Sequence, residues 1–176
     1  MTIISTTHIH TGRVVRLNVE RVRLPNGSVA ELEIVHHPGG AAIVALDDSN
    51  RVCMLRQYRH AAGGWIWELP AGKIDNCEPP LQTAQRELEE EAGMQAAQWH
   101  SLGEYLSSPG VFTEVVHLYL ATQLQALAVK PEEHEVLEIH WQPFDAVLTM
   151  ARSGELRDGK SIVAIFRAVE HLQPAR

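Results

Sequence analysis

Three carboxylates, Glu87, Glu90 and Glu91, and one guanidinium, Arg86, stand close together in a segment whose Leu81, Ala84, Leu88 and Ala92 recur at helical spacing. At about 100° per residue, the three acids share an arc of about 100° beside Leu88. Glu87 and Glu91 are like charges at i, i+4, which costs about a few tenths of a kcal/mol. The cluster also falls in the last turns before Gly93, where a helix already carries partial negative charge. Helix stability alone would not choose this placement. Two readings remain: a solvated charged face softened by an Arg86–Glu90 pair, or ligands for a hard divalent cation. Mg²⁺ takes oxygen ligands, keeps several waters and bridges to substrate phosphates, and it accounts for the crowding better.

Other chemistry lies nearby. Arg56 and Arg59 are three apart in an apolar strand and point to opposite faces, so one suits a phosphate clamp and the other a structural role. Trp65 and Trp67 share a face, to stack on a base or to fill a core, and packing is the commoner use of strand aromatics. Glu132, Glu133 and Glu135 crowd one polar loop, and spacing does not separate their roles. Cys53 and Cys77 have no CxxC or Cys/His ligand spacing and read as reduced thiols. Ten histidines never form HxxxH or HExxH on one helix, which argues against zinc.

These residues need a scaffold. Arg13 to Leu24 and Val29 to Val35 alternate at period two around Pro25–Ser28, which predicts a hairpin, and His36–Gly40 breaks the chain after it. Ala41 to Leu46 and Arg51 to Tyr58 flank an Asp47–Asn50 turn, and both read as strands of a central sheet. A short strand ends at Pro70, and a helix follows from Pro79–Pro80 to Gly93. Further strands are expected at Trp99–Leu106, Val115–Ala121 and Val136–Trp141. Helices are expected at Pro143–Ser153 and about Lys160–Leu172.

The 176 residues suit one main domain, and 45% hydrophobic with 21% charged residues can build a core. The domain division expected is an N-terminal hairpin over 1–38 and a main domain over 39–176. Net charge is −7 with no basic block, which argues against nucleic-acid or anionic-membrane binding. No run approaches the ~20 apolar residues of a membrane span and no leader pattern opens the chain, so a cytoplasmic location is the default expectation.

From Gly72 the chain reads Gly72, five residues, Glu78, seven residues, Arg86-Glu87-Leu88, one residue, Glu90-Glu91, one residue, Gly93-Met94. This resembles the Nudix hydrolase box at every defined position. The resemblance implies an α/β/α sandwich with a mixed central sheet and a box that binds Mg²⁺ or Mn²⁺. The implied activity is cleavage of a nucleoside diphosphate linked to another group. Arg56-Gln57-Tyr58-Arg59, Glu68-Leu69-Pro70-Ala71-Gly72, Ser108-Pro109-Gly110 and Gly154–Lys160 are similar to the ADP-ribose pyrophosphatase branch, whose marker proline matches Pro109. Val111-Phe112-Thr113-Glu114 is also close to GDP-mannose hydrolases of this fold.

By that resemblance Glu87, Glu90, Glu91, the Ala71 carbonyl and Glu135 form the metal shell, and Glu133 activates water from a mobile loop. Arg59 is the preferred phosphate clamp, with Arg56, Pro109, Gly110 and Glu114 as further substrate contacts and Glu114 at the terminal ribose. Arg86 is expected to orient the acids. ADP-ribose is the expected substrate; GDP-mannose or a broader sugar-nucleotide range is the alternative. A non-catalytic nucleotide sensor is a second alternative. A homodimer is implied too, in which the N-terminal piece, with apolar residues such as Val15, Leu17 and Val19, crosses to the partner and helps to complete the base pocket.

Overall fold

In the computed structural model, which describes residues 2–127 and 136–173, the chain divides into two units. The first comprises Met1–Gly39 with Leu106–Val115. Its strands β1 (Thr2–Thr11), β2 (Arg16–Arg23) and β3 (Val29–His36) form an antiparallel sheet in that order. The expected hairpin is β2–β3, paired from Arg16↔His36 to Arg23↔Val29. Gly27 adopts φ 86° in its turn, a conformation that costs glycine nothing. One point differs from the sequence reading. A third strand, β1, completes a sheet, and all ten of its residues are exposed, so it carries no buried period to read. Val15, Leu17 and Val19 are only half-buried, whereas Asn18, Glu20 and Val22 are buried. That polar burial is tolerable because Asn18 Nδ2 and Glu20 Oε1 lie 3.2 and 3.0 Å from His36 Nε2.

The second unit comprises Gly40–Tyr105 with Val116–Arg176. Strands β4 (Gly40–Ala45), β5 (Arg51–Arg59), β6 (Gly64–Glu68) and β7 (Ala71–Lys73) lead to helix α1 (Pro80–Ala92). Strands β8 (Met94–Leu106), β9 (Val115–Ala126) and β10 (Leu137–Pro143) precede helices α2 (Phe144–Ser153) and α3 (Gly159–Leu172). One sheet has the order β7-β4-β9-β8 and another β10-β5-β6. The first is mixed, since β4 runs parallel to β9 and antiparallel to β7.

β4 is apolar throughout because both of its faces are covered. Ala42 and Val44 join Leu118, Leu120, Leu148 and Ile165 in the core beneath α2 and α3. Ala41, Ile43 and Ala45 join Leu55, Ala84 and Leu88 in the core beneath α1. One strand thus feeds two cores by alternation, which is the α/β/α layering expected. Full burial of Leu88 contributes about 2 kcal/mol.

β4 and β5 do not lie in one sheet, contrary to expectation. The Asp47–Asn50 turn closes a single bridge, Leu46↔Val52. Both edges of β4 are taken by β7 and β9, so β5 pairs with β6 and β10 instead. Helix α1 starts behind Pro79 and ends on Gly93 at φ 62°, whose amide bonds back to Glu89 O at 3.0 Å. Leu81 shares the azimuth of Leu88 but is 37% exposed, since it precedes Thr83, the first helix residue that is buried. No helix among the described residues is long and apolar enough to cross a membrane.

Candidate functional site

Packing of α1 against β4 and β7 carries two carboxylates out of solvent: Glu87 is 9% and Glu91 4% exposed. A solvated face does not describe them, whereas Glu89 on the outer side is exposed. Arg86 gathers the acids. Its Nη1 donates to Glu87 Oε1 at 2.7 Å and Glu90 Oε2 at 2.9 Å, and its Nη2 donates to Glu78 Oε1 at 2.9 Å and Lys73 O at 3.1 Å. Burial works against the Arg86 charge, but Glu78, Glu87 and Glu90 outweigh it and raise its pKa. Hydrogen bonds from Arg86 and Thr83 hold Glu78 below the ordinary carboxylate range. Arg86 therefore takes the orienting position expected of it.

Glu91 Oε2 accepts the Ala71 amide at 2.7 Å, which ties the helix to the start of β7. The next residue is Gly72, and a Cβ there would fall on the Glu87 carboxylate, so the glycine lets that side chain lie against the β7 backbone. Burial, and then the charge of Glu91, push the Cys53 thiol up to about 12. Arg86 thus joins Glu87 to Glu90, and Glu91 meets Ala71 through the Ala71 amide rather than the carbonyl. Among the described residues, no three His, Cys, Asp or Glu side chains already close on one point as a preformed metal centre does. The donor set is nevertheless oxygen only, on a cradle opened by a glycine. That fits a hard divalent cation whose remaining ligands come from water and phosphate.

The expected substrate contacts divide. Arg59 forks onto Glu68, Nε to Oε1 at 2.8 Å and Nη2 to Oε2 at 3.0 Å, and its side chain is 41% exposed. Arg56 lies on the other face, 5.3 Å from the Trp67 ring centroid, with Trp67 edge-on to His140. Trp65, 39% exposed, meets Tyr58 edge-on on that same face. Pro109, Gly110 and Glu114 belong to the first unit. Pro109 and Gly110 form an exposed turn, and Glu114 Oε1 lies 3.3 Å from His37 Nδ1. Glu132, Glu133 and Glu135 lie outside the described residues.

Sequence reasoning assigned no role to Lys160. Its Nζ donates to Glu68 Oε2 at 2.8 Å and Asp158 Oδ2 at 2.9 Å. Ninety-two residues separate Lys160 from Glu68, so no local pattern could have paired them.

A family model for the NUDIX domain matches residues 36–164. The chain belongs to the Nudix family. The chain is 39% identical over 167 residues to an ADP-ribose pyrophosphatase of Mycobacterium tuberculosis, a match that covers 93% of this chain and 80% of the relative. It is 33% identical over 163 residues to a GDP-mannose pyrophosphatase of Salmonella arizonae, covering 84% and 83%. Among solved structures, an ADP compounds hydrolase superposes at TM-score 0.83 with 20% identity, covering 97% of this chain and 93% of that one. At that identity the structural likeness carries the Nudix fold.

Proposed function

We propose that this Nudix protein hydrolyses the pyrophosphate of a nucleoside diphosphate sugar, with Mg²⁺ or Mn²⁺ bound, and that its substrate is ADP-ribose, cleaved with water to AMP and ribose 5-phosphate. The observation that carries the reading is the burial of Glu87 and Glu91 beside Gly72, at the helix end least suited to negative charge. Similarity to the ADP-ribose pyrophosphatase supports the substrate, and similarity to the GDP-mannose pyrophosphatase keeps GDP-mannose as the second reading.

Glu87, Glu90 and Glu91 would hold the cation, with the Ala71 carbonyl and Glu135 assisting. When bound, the cation neutralises phosphate charge and lowers the pKa of bound water. Arg86 keeps the acids in register through the contacts above, and Gly72 leaves the space that the Glu87 carboxylate occupies. Arg59 offers a planar guanidinium that matches two phosphate oxygens, with Arg56, Pro109, Gly110 and Glu114 as further substrate contacts. Glu133 serves as the base for the attacking water. The long first-unit strand β1, exposed along both faces, supports the proposed homodimer, because such an edge invites a partner strand.

The test is Glu91→Gln, nearly isosteric and one charge short. We expect a folded protein whose kcat at saturating Mg²⁺ falls by about two orders of magnitude or more. Retention of more than about a third of wild-type kcat would remove Glu91 from the site.

A further inference from the structure

Behind Arg59 a row of charges alternates in sign across three elements. Arg59 at the end of β5 forks onto Glu68 of β6. Glu68 Oε2 also accepts Lys160 Nζ from α3, and Lys160 reaches Asp158. Asp158 caps α3, accepting Ser161 N at 3.1 Å and Ser161 Oγ at 2.5 Å. Ser161 Oγ in turn accepts the Leu69 amide at 2.8 Å. Glu68 and Ser161 are buried, and Asp158 finds its charge offset by the positive end of α3.

Arg59, Glu68, Lys160 and Asp158 together are neutral, and without Lys160 the row would carry one net negative charge beside the guanidinium. A lone Arg59–Glu68 fork would be a neutral pair, and a neutral pair has little attraction left for phosphate. With Lys160 on the same Glu68 oxygen, the carboxylate is shared between two cations, and Lys160 also offsets Asp158, so the acids behind Arg59 do not turn the local potential negative. The fork still fixes the plane of the guanidinium. We propose that Lys160 is a positioning residue for substrate binding: by co-binding Glu68 it holds Arg59 in orientation while preserving its charge for the pyrophosphate. This rests on the reading of Arg59 as the phosphate clamp. Burial pulls against the Lys160 charge, while Asp158 and Glu68 outweigh it and keep it protonated.

The experiment is a double-mutant cycle on the full-length protein with Mg²⁺ present. Its readouts are Kd for the non-hydrolysable α,β-methylene analogue of ADP-ribose, by calorimetry, together with KM and kcat. Lys160→Met keeps the aliphatic stem. It should raise Kd and KM about tenfold with kcat within about threefold, and should change Kd less than about twofold once Arg59→Ala is present. A purely structural lysine would lower the melting temperature without that coupling. An unchanged Kd in Lys160→Met, or the same tenfold loss persisting in Arg59→Ala, overturns the proposal alone. If Arg59→Ala by itself leaves Kd unchanged, the clamp reading falls and the proposal with it. Should Lys160→Met fail to fold, Lys160→Arg carries the test. It should bind within about twofold of its Lys160 parent in each background, and a tenfold loss relative to that parent in either one overturns the proposal.

Discussion

Glu87 and Glu91 are buried carboxylates, a placement that costs desolvation and that the Arg86 guanidinium and the Ala71 amide partly offset. The spacing of these acids was legible in the sequence, as was the crowding at the wrong helix end. Their burial was not, because it depends on which strand the helix meets. Gly72 shows the same limit: its place in the box is readable, but the collision its Cβ would make with Glu87 exists only in three dimensions. Gly72→Ala must displace the Glu87 carboxylate. The expected result is a folded protein with kcat reduced at least about tenfold and a raised Mg²⁺ requirement, read from metal titrations of activity. Wild-type kinetics would show that Glu87 has no fixed place in the site.

Elements marked by punctuation were legible. Pro79–Pro80 and Gly93 bound α1, and the apolar run of β4 signals a strand covered on both faces. β1 escaped because Thr and His residues exposed on both sides leave no hydrophobic period, and β5 was misplaced because edge occupancy is a property of the whole sheet. Long-range ion pairs escaped for a related reason, since Glu68 joins β6 to Arg59 of β5 and Lys160 of α3. Burial alone would raise the Glu68 pKa, but the Arg59 hydrogen bond and the Lys160 charge lower it below the ordinary value. A depressed folded pKa contributes stability that is present above the unfolded value of about 4.3 and is lost as pH falls through the folded one. Glu68→Gln should therefore lower the melting temperature at pH 7, with the gap to wild type closing below about pH 4. A gap independent of pH would assign the loss to packing rather than to charge.

At the scale of the molecule, a net charge of −7 surrounds a site meant for an anionic nucleotide, so local arginines and a cation must reverse the field there. The exposed β1 edge makes a separate demand, met in our account by a second copy of the chain. Light scattering of the intact protein at micromolar concentration should give a dimer, and removal of residues 1–38 should give a monomer or aggregates with a raised KM. An intact monomer would refute the dimer. The central claim concerns chemistry, and phosphorus NMR of ADP-ribose incubated with the purified protein tests it most directly. With Mg²⁺ the account predicts that the pyrophosphate doublets give way to the resonances of AMP and ribose 5-phosphate, with no turnover in excess EDTA. Intact ADP-ribose in the presence of Mg²⁺, or equal cleavage in EDTA, would contradict it.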